Sequence, residues 1–188
     1  MSRPRSDEKR EAIIEATIAS VADVGVGAST ALIAQQASVS QGTVFKYFPS
    51  KEGLLNATFL TLKAELDNAV LVGLPQEADA VTQLHHIWVR WLAWGTAKPT
   101  RRLAMVRLDA SEVITAETRE TSKRNAAEAI EIVERVSAAG VFRDQPIEFI
   151  GNFFEALAGT TMDSMIAQPA RADSYCELAF EALRRALS

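Results

Sequence analysis

Residues 30–55, TALIAQQASVSQGTVFKYFPSKEGLL, leave the chain few ways to fold. They read as two short helices joined by a tight turn, followed by the start of a third. The first carries apolar residues at Leu32, Ile33, Ala34 and Ala37, and the polar run Ser38-Val39-Ser40 interrupts it. Ser40 suits the N-cap of the next helix, because its hydroxyl can accept from a free backbone N–H of the first turn. That second helix, Gln41 to Phe48, is short and aromatic, and Pro49 stops it. Ser50 can then cap a helix beginning at Lys51. Two helices meeting steeply across a three- or four-residue turn form a helix-turn-helix, whose second helix fits the DNA major groove. Val39, Val44 and Phe48 space as the buried side of this motif.

The rest of the chain reads as helix as well. Sustained β-branched alternation is missing, and Ala, Leu and Glu dominate, which points to an all-α protein. Helix one spans about 7–24 and stops at Gly25. Further helices are expected over about 51–72, 80–97 and 100–111, then one long helix over 115–139, and two more over 147–167 and 172–187. The expected division is a helix-turn-helix domain over 1–55 and a helical bundle over 56–188. No apolar run approaches the ~18–20 residues of a membrane span. The polar start MSRPRSDEKR lacks the apolar stretch of a secretory signal. A single cysteine cannot form an intramolecular disulfide, so a cytoplasmic location is expected.

Charge gives the helix-turn-helix no overall bias. Residues 1–55 carry six Lys/Arg and six Asp/Glu, and the other 133 carry 14 against 18, which gives the net −4. Any attraction to a polyanion must therefore be local. The candidates are Arg3, Arg5, Lys9 and Arg10 at the amino end, and Lys46 and Lys51 beside the second helix of the motif. Affinity resting on so small a patch would depend on salt.

Residues 10–55 resemble the DNA-binding domain of the tetracycline-repressor (TetR) family of bacterial transcription regulators. The matching positions are Ile13, Ile14, Ala16, Val21 and Gly25, then Ser29-Thr30 and Ile33-Ala34. They continue through the run Ser40 to Phe48 and close with Ser50-Lys51-Glu52 and Leu54-Leu55. Two positions depart from the family pattern. Ser38 stands where the turn usually has Gly, a left-handed position that costs a residue with a side chain. Phe45 replaces a tyrosine whose hydroxyl commonly reaches a phosphate, so Phe45 is expected to pack instead.

The resemblance implies a DNA contact set. Ser29 and Thr30, at the start of a helix, can bind a phosphate oxygen or serve only as caps. Ser40 and Gln41 begin the recognition helix, and the Gln41 amide can pair bidentately with adenine. Gly42 lets the helix approach the groove closely, and Thr43 can meet a base or a thymine methyl. Lys46 can reach a guanine or a phosphate, or remain a solvated charge. Tyr47 and Lys51 match positions that usually contact phosphates. The partner expected is a pseudo-palindromic double-stranded operator bound by a homodimer, with an effector releasing a repressor from it.

The family's carboxy-terminal domain dimerises and binds a small effector. The last two helices present Phe149, Phe153, Leu157, Tyr175, Leu178 and Leu183 as dimer candidates, which would form a four-helix bundle with a second copy. Such a surface can equally pack within its own subunit. Trp88, Trp91 and Trp94 fall along one helix and, with Met105, Leu108, Asp109 and Asn125, would line a pocket for an apolar or aromatic effector; such a stripe is also ordinary core. His85 and His86 point to different helix faces, which argues against a metal site, and no cofactor is expected. An enzyme is not indicated. The G-x-S-x-G, Walker and H-E-x-x-H patterns are missing, and Cys176 has no histidine at a recognisable spacing. The competing reading is a helical ligand-binding dimer that has lost DNA binding.

Overall fold

The computed structural model describes residues 5–138 and 140–187, which are helical without a strand. The chain divides into two compact units. The first takes the residues up to 64 together with Pro99–Lys123, and the second takes Glu65–Lys98 and Arg124–Ser188.

In the first unit, α1 (Arg5–Val24) is followed by α2 (Thr30–Gln36), α3 (Gln41–Tyr47) and the beginning of α4 (Lys51–Leu71). Side-chain caps set where three of these begin. Ser29 Oγ accepts from the Leu32 N–H at 3.1 Å, Ser40 Oγ from Thr43 at 3.1 Å and Ser50 Oγ from Gly53 at 2.9 Å. Each bond satisfies a backbone donor that the first helical turn leaves without a partner. Gly25, at φ 83°, ends α1. The core consists of Ile13, Ile14, Ala16 and Val21 from α1, Ile33 and Ala34 from α2, Val44 from α3, and Leu54 and Leu55 from α4, all buried.

Ser38 in the turn between α2 and α3 has φ 55°, the left-handed conformation its sequence position predicts. Ser38→Gly is therefore expected to raise stability by about 0.5–1 kcal/mol, the relief of the side-chain clash outweighing glycine's greater freedom when unfolded. Urea unfolding measures this, and an unchanged or lowered midpoint would count against strain at the turn.

α6 (Pro99–Asp109) and most of α7 (Ala116–Asn125) also belong to this unit, where α6 packs on α1. Its Arg107 Nη1 donates to the carbonyls of Val21, Ala22 and Asp23 at 3.0, 2.8 and 3.1 Å. One guanidinium thus closes the end of α1, where the last carbonyls run out of helical partners and a cation suits the dipole. Arg101 adds a forked pair with Glu15 at 2.7 Å.

The second unit holds the end of α4 with α5 (Ala80–Ala97), α8 (Ala127–Ser137), α9 (Ile147–Ala167) and α10 (Ala172–Leu187). Asp79 caps α5 by accepting from the Thr82 N–H and hydroxyl, both at 2.9 Å, and these bonds hold its carboxyl below the usual range. α5 packs on α8 and α9, and α9 on α10.

The single long helix expected over 115–139 is two. α7 ends at Asn125, Ala126 takes φ −86° and ψ 8°, and α8 begins at Ala127. The chain changes partners here. α7 buries Thr118 and Ser122 in the first unit, whereas α8 buries Ile132 and Val136 in the second. The end of that expected helix, residue 139, lies outside the described residues.

Candidate DNA interface

α2 and α3 form the helix-turn-helix, and all nine residues expected to meet DNA lie in the first unit. Ser40, Gln41, Gly42 and Lys46 are exposed, while Thr43, Tyr47 and Lys51 are partly covered. The inward side of α3 is taken by Val44 and, just beyond it, Phe48. Arg10 of α1 stands 5.2 Å over the Phe48 ring, which places one of the amino-end cations beside the end of α3. Arg3 and the Arg5 side chain lie outside the described residues.

Two polar contacts order the exposed side. Gln41 Nε2 donates to Thr30 Oγ1 at 2.7 Å, so the first residue of α3 is tied to the first residue of α2. The hydroxyls of Ser40 and Thr43 share a 2.8 Å hydrogen bond. Ser29 and Ser40 cap their helices, and Lys51 opens α4 beside the Ser50 cap. At Gly42 a Cβ would meet only Ser40 Oγ, at 3.9 Å. Nothing within this protein requires glycine there.

Phe45 corrects the sequence-based expectation. It does not pack: its side chain is 42% exposed. With Val44 turned inward, the next residue is carried about 100° round the helix, toward solvent. Sequence reasoning also missed the Gln41–Thr30 bond, which joins residues 11 apart. The apolar character of Phe45 and the match to a surface tyrosine were the only signals of its position, and they pointed in opposite directions.

The other expected site residues separate by unit. Trp88, Trp91 and Trp94 belong to the second, as does Asn125, which is exposed; Met105, Leu108 and Asp109 belong to the first. Met105 and Leu108 are buried, and Asp109 is paired with Arg119 at 2.7 Å. Trp88 is fully buried, donates from Nε1 to the Cys176 carbonyl at 3.0 Å and meets Phe154 edge-on at 5.3 Å. Trp94 Nε1 donates to Glu65 at 3.1 Å. Trp91 is only half-buried, with its ring 5.1 Å from Phe154. Burial pushes the Cys176 thiol up, which keeps it protonated. His85 meets Glu177 at 3.2 Å, and His86 meets the Val72 carbonyl at the same distance.

Among the dimer candidates, Phe149, Phe153 and Leu178 are exposed by 51, 37 and 68%, and Leu157 and Tyr175 are partly covered. Phe142 lies against both exposed phenylalanines, 5.9 Å from Phe149 and 5.3 Å from Phe153. Leu183 is different. It is wholly enclosed by its own chain, so it contributes core and offers no surface to a second copy.

Comparison with known proteins agrees with this architecture. Residues 13–58 match the family described as bacterial regulatory proteins, tetR family. The HTH-type transcriptional regulator BetI of Cronobacter sakazakii is 40% identical over 76 residues, 40% of this chain and 38% of that protein. The match to that relative therefore spans well under half of its length. Over nearly the whole chain, a TetR family transcription regulator from Marinobacter aquaeolei VT8 superposes with a TM-score of 0.84 at 26% identity, covering 99% of this chain and 98% of its own. A structure from Shewanella sp. PV-4 superposes at 0.85 with 24% identity, covering 95% and 97%, and shares the fold. The helix-turn-helix of this protein is therefore a domain of the tetR family of bacterial regulatory proteins, and the helical architecture along the rest of the chain matches solved structures of such regulators.

Proposed function

We propose that this protein is a homodimeric, one-component transcription repressor that reads a pseudo-palindromic operator and leaves it on binding a small apolar or aromatic effector. The observation that carries the reading is the exposed side of α3, where Gln41 and Lys46 face outward while Ser40, Thr43 and Thr30 hold the polar groups in place. Gln41 would read a base edge, and Lys51, in the first turn of α4, would bind a phosphate together with the helix dipole. The side chain absent at Gly42 would admit the DNA surface. The exposed Phe149, Phe153 and Leu178 would close against a second copy, and Trp91, the half-buried tryptophan, would face the effector. A cytoplasmic setting accords with the absence, among the described residues, of a helix long and apolar enough to cross a membrane.

Repression would end when the effector binds the DNA-incompetent conformation more tightly, tilting α4 and moving the recognition helices off the ~34–36 Å spacing of successive major grooves. Selection of bound sequences from a random duplex library at moderate salt tests the core of the proposal, which requires an enriched palindrome. A folded dimer that enriches nothing would instead be a ligand-binding bundle without DNA.

Variants at two positions separate positioning from reading. Lys51→Ala is expected to weaken binding to all sequences alike and to reduce the salt slope by about one. Gln41→Ala is expected to relax preference at one base pair per half-site, at about 1–3 kcal/mol of discrimination. Uniform losses on every sequence for both variants would remove Gln41 from base reading.

A further inference from the structure

We propose that Phe45 is a specificity determinant that receives the 5-methyl group of a thymine in each operator half-site. The inference rests on the DNA-binding reading above and adds a contact to it. Phe45 occupies the outer side of a seven-residue helix whose interior contact is made by Val44, so its ring, 42% exposed, is spare to the core. It lies four residues after Gln41, which places the two on the same helix face, about 6 Å apart along the axis. With base pairs rising about 3.4 Å, that separation reaches between one and two steps along the groove.

The ring brings no hydrogen-bonding group to the groove. Of the features that base edges present there, the thymine methyl is the apolar one. Gln41, oriented by its bond to Thr30, has the amide suited to adenine, so the adjoining pair Gln41–Phe45 favours a site rich in A·T. Lys46, exposed beside Phe45, supplies the charge that holds a phenyl ring near a polyanion.

The test uses the full-length protein and the operator recovered by selection. Each thymine is replaced in turn by deoxyuridine, which lacks the methyl and keeps the pairing edge, and Kd is measured by fluorescence anisotropy for the wild type and for Phe45→Ala. One thymine per half-site is expected to be sensitive. Its replacement should weaken wild-type binding about four-fold per half-site, the equivalent of about one buried methyl group, and should leave Phe45→Ala unaffected. A wild-type protein that binds its operator yet ignores every deoxyuridine would overturn the inference alone, since a phenyl ring resting on deoxyribose would behave that way. A sensitive thymine whose effect persists in Phe45→Ala would assign the methyl contact to another residue. No operator at all would overturn the DNA-binding reading and this inference with it.

Discussion

Replacing Trp88 with alanine is expected to lower stability by about 3–5 kcal/mol, the range for losing a large aromatic from a closed core. The side chain is fully buried, packs edge-on against Phe154 of α9 and donates to the Cys176 carbonyl of α10. Removing it takes away one contact of α5 with each of two helices. Trp88→Phe should recover part of the loss, because a six-membered ring remains to pack while the fused five-membered ring and its N–H are lost. Trp91→Ala should cost far less, since Trp91 is only half-buried, and it should instead alter the response to effector. Chemical unfolding at a fixed protein concentration measures the difference, because the proposed association with a second copy would add stability that varies with concentration. Equal losses at Trp88 and Trp91 would mean that the two rings have the same role, against their unequal burial.

The contrast between those tryptophans marks how far the sequence could be read. Helix ends were legible because their signals are local: Ser40 caps α3, Ser50 caps α4, Gly25 ends α1, and Pro49 separates two helices. The left-handed turn at Ser38 was legible for the same reason. Features that depend on distant partners were not. Nothing near Ala126 announces that the chain leaves one unit for the other there, because Ala is the strongest helix former and predicts that the helix continues. The place of α6 beside α1 depends on Arg107 meeting carbonyls 84 to 86 residues away. Leu183 and Leu178 read alike as apolar positions of α10, yet one is enclosed and the other is 68% exposed. In the candidate interface, side-chain orientations were not legible: neither the tie of Gln41 to Thr30 nor the outward turn of Phe45 could be read from the sequence.

Asn56→Ala is expected to destabilise the first unit by about 2–4 kcal/mol, with a matching loss of DNA affinity on every sequence, because it takes the side-chain partner from the part-buried Val113 carbonyl and Thr115 N–H. Asn56 is 8% exposed and uses both ends of its carboxamide. Nδ2 donates to the Glu52 and Val113 carbonyls, each at 2.8 Å, and Oδ1 accepts from the Thr115 N–H at 3.0 Å. The side chain therefore fastens the early turns of α4 to the segment before α7, within the unit that also carries the recognition helix. Lys51 stands five residues earlier on the same helix, so a loosened α4 would displace the phosphate contact proposed for Lys51 and leave the side chain proposed to read bases, Gln41 of α3, unaltered. Asn56→Asp separates the two halves of the clamp. A carboxylate can still accept from Thr115, but it has no proton to donate and would set a negative charge against two carbonyl oxygens. It should therefore destabilise at least as much as alanine. If the aspartate variant unfolds at the wild-type urea midpoint, the donor half of the clamp contributes nothing, and Thr115 alone accounts for the position of α4. If both variants lose stability but keep operator affinity once saturably folded, the clamp supports the fold without setting the Lys51 contact.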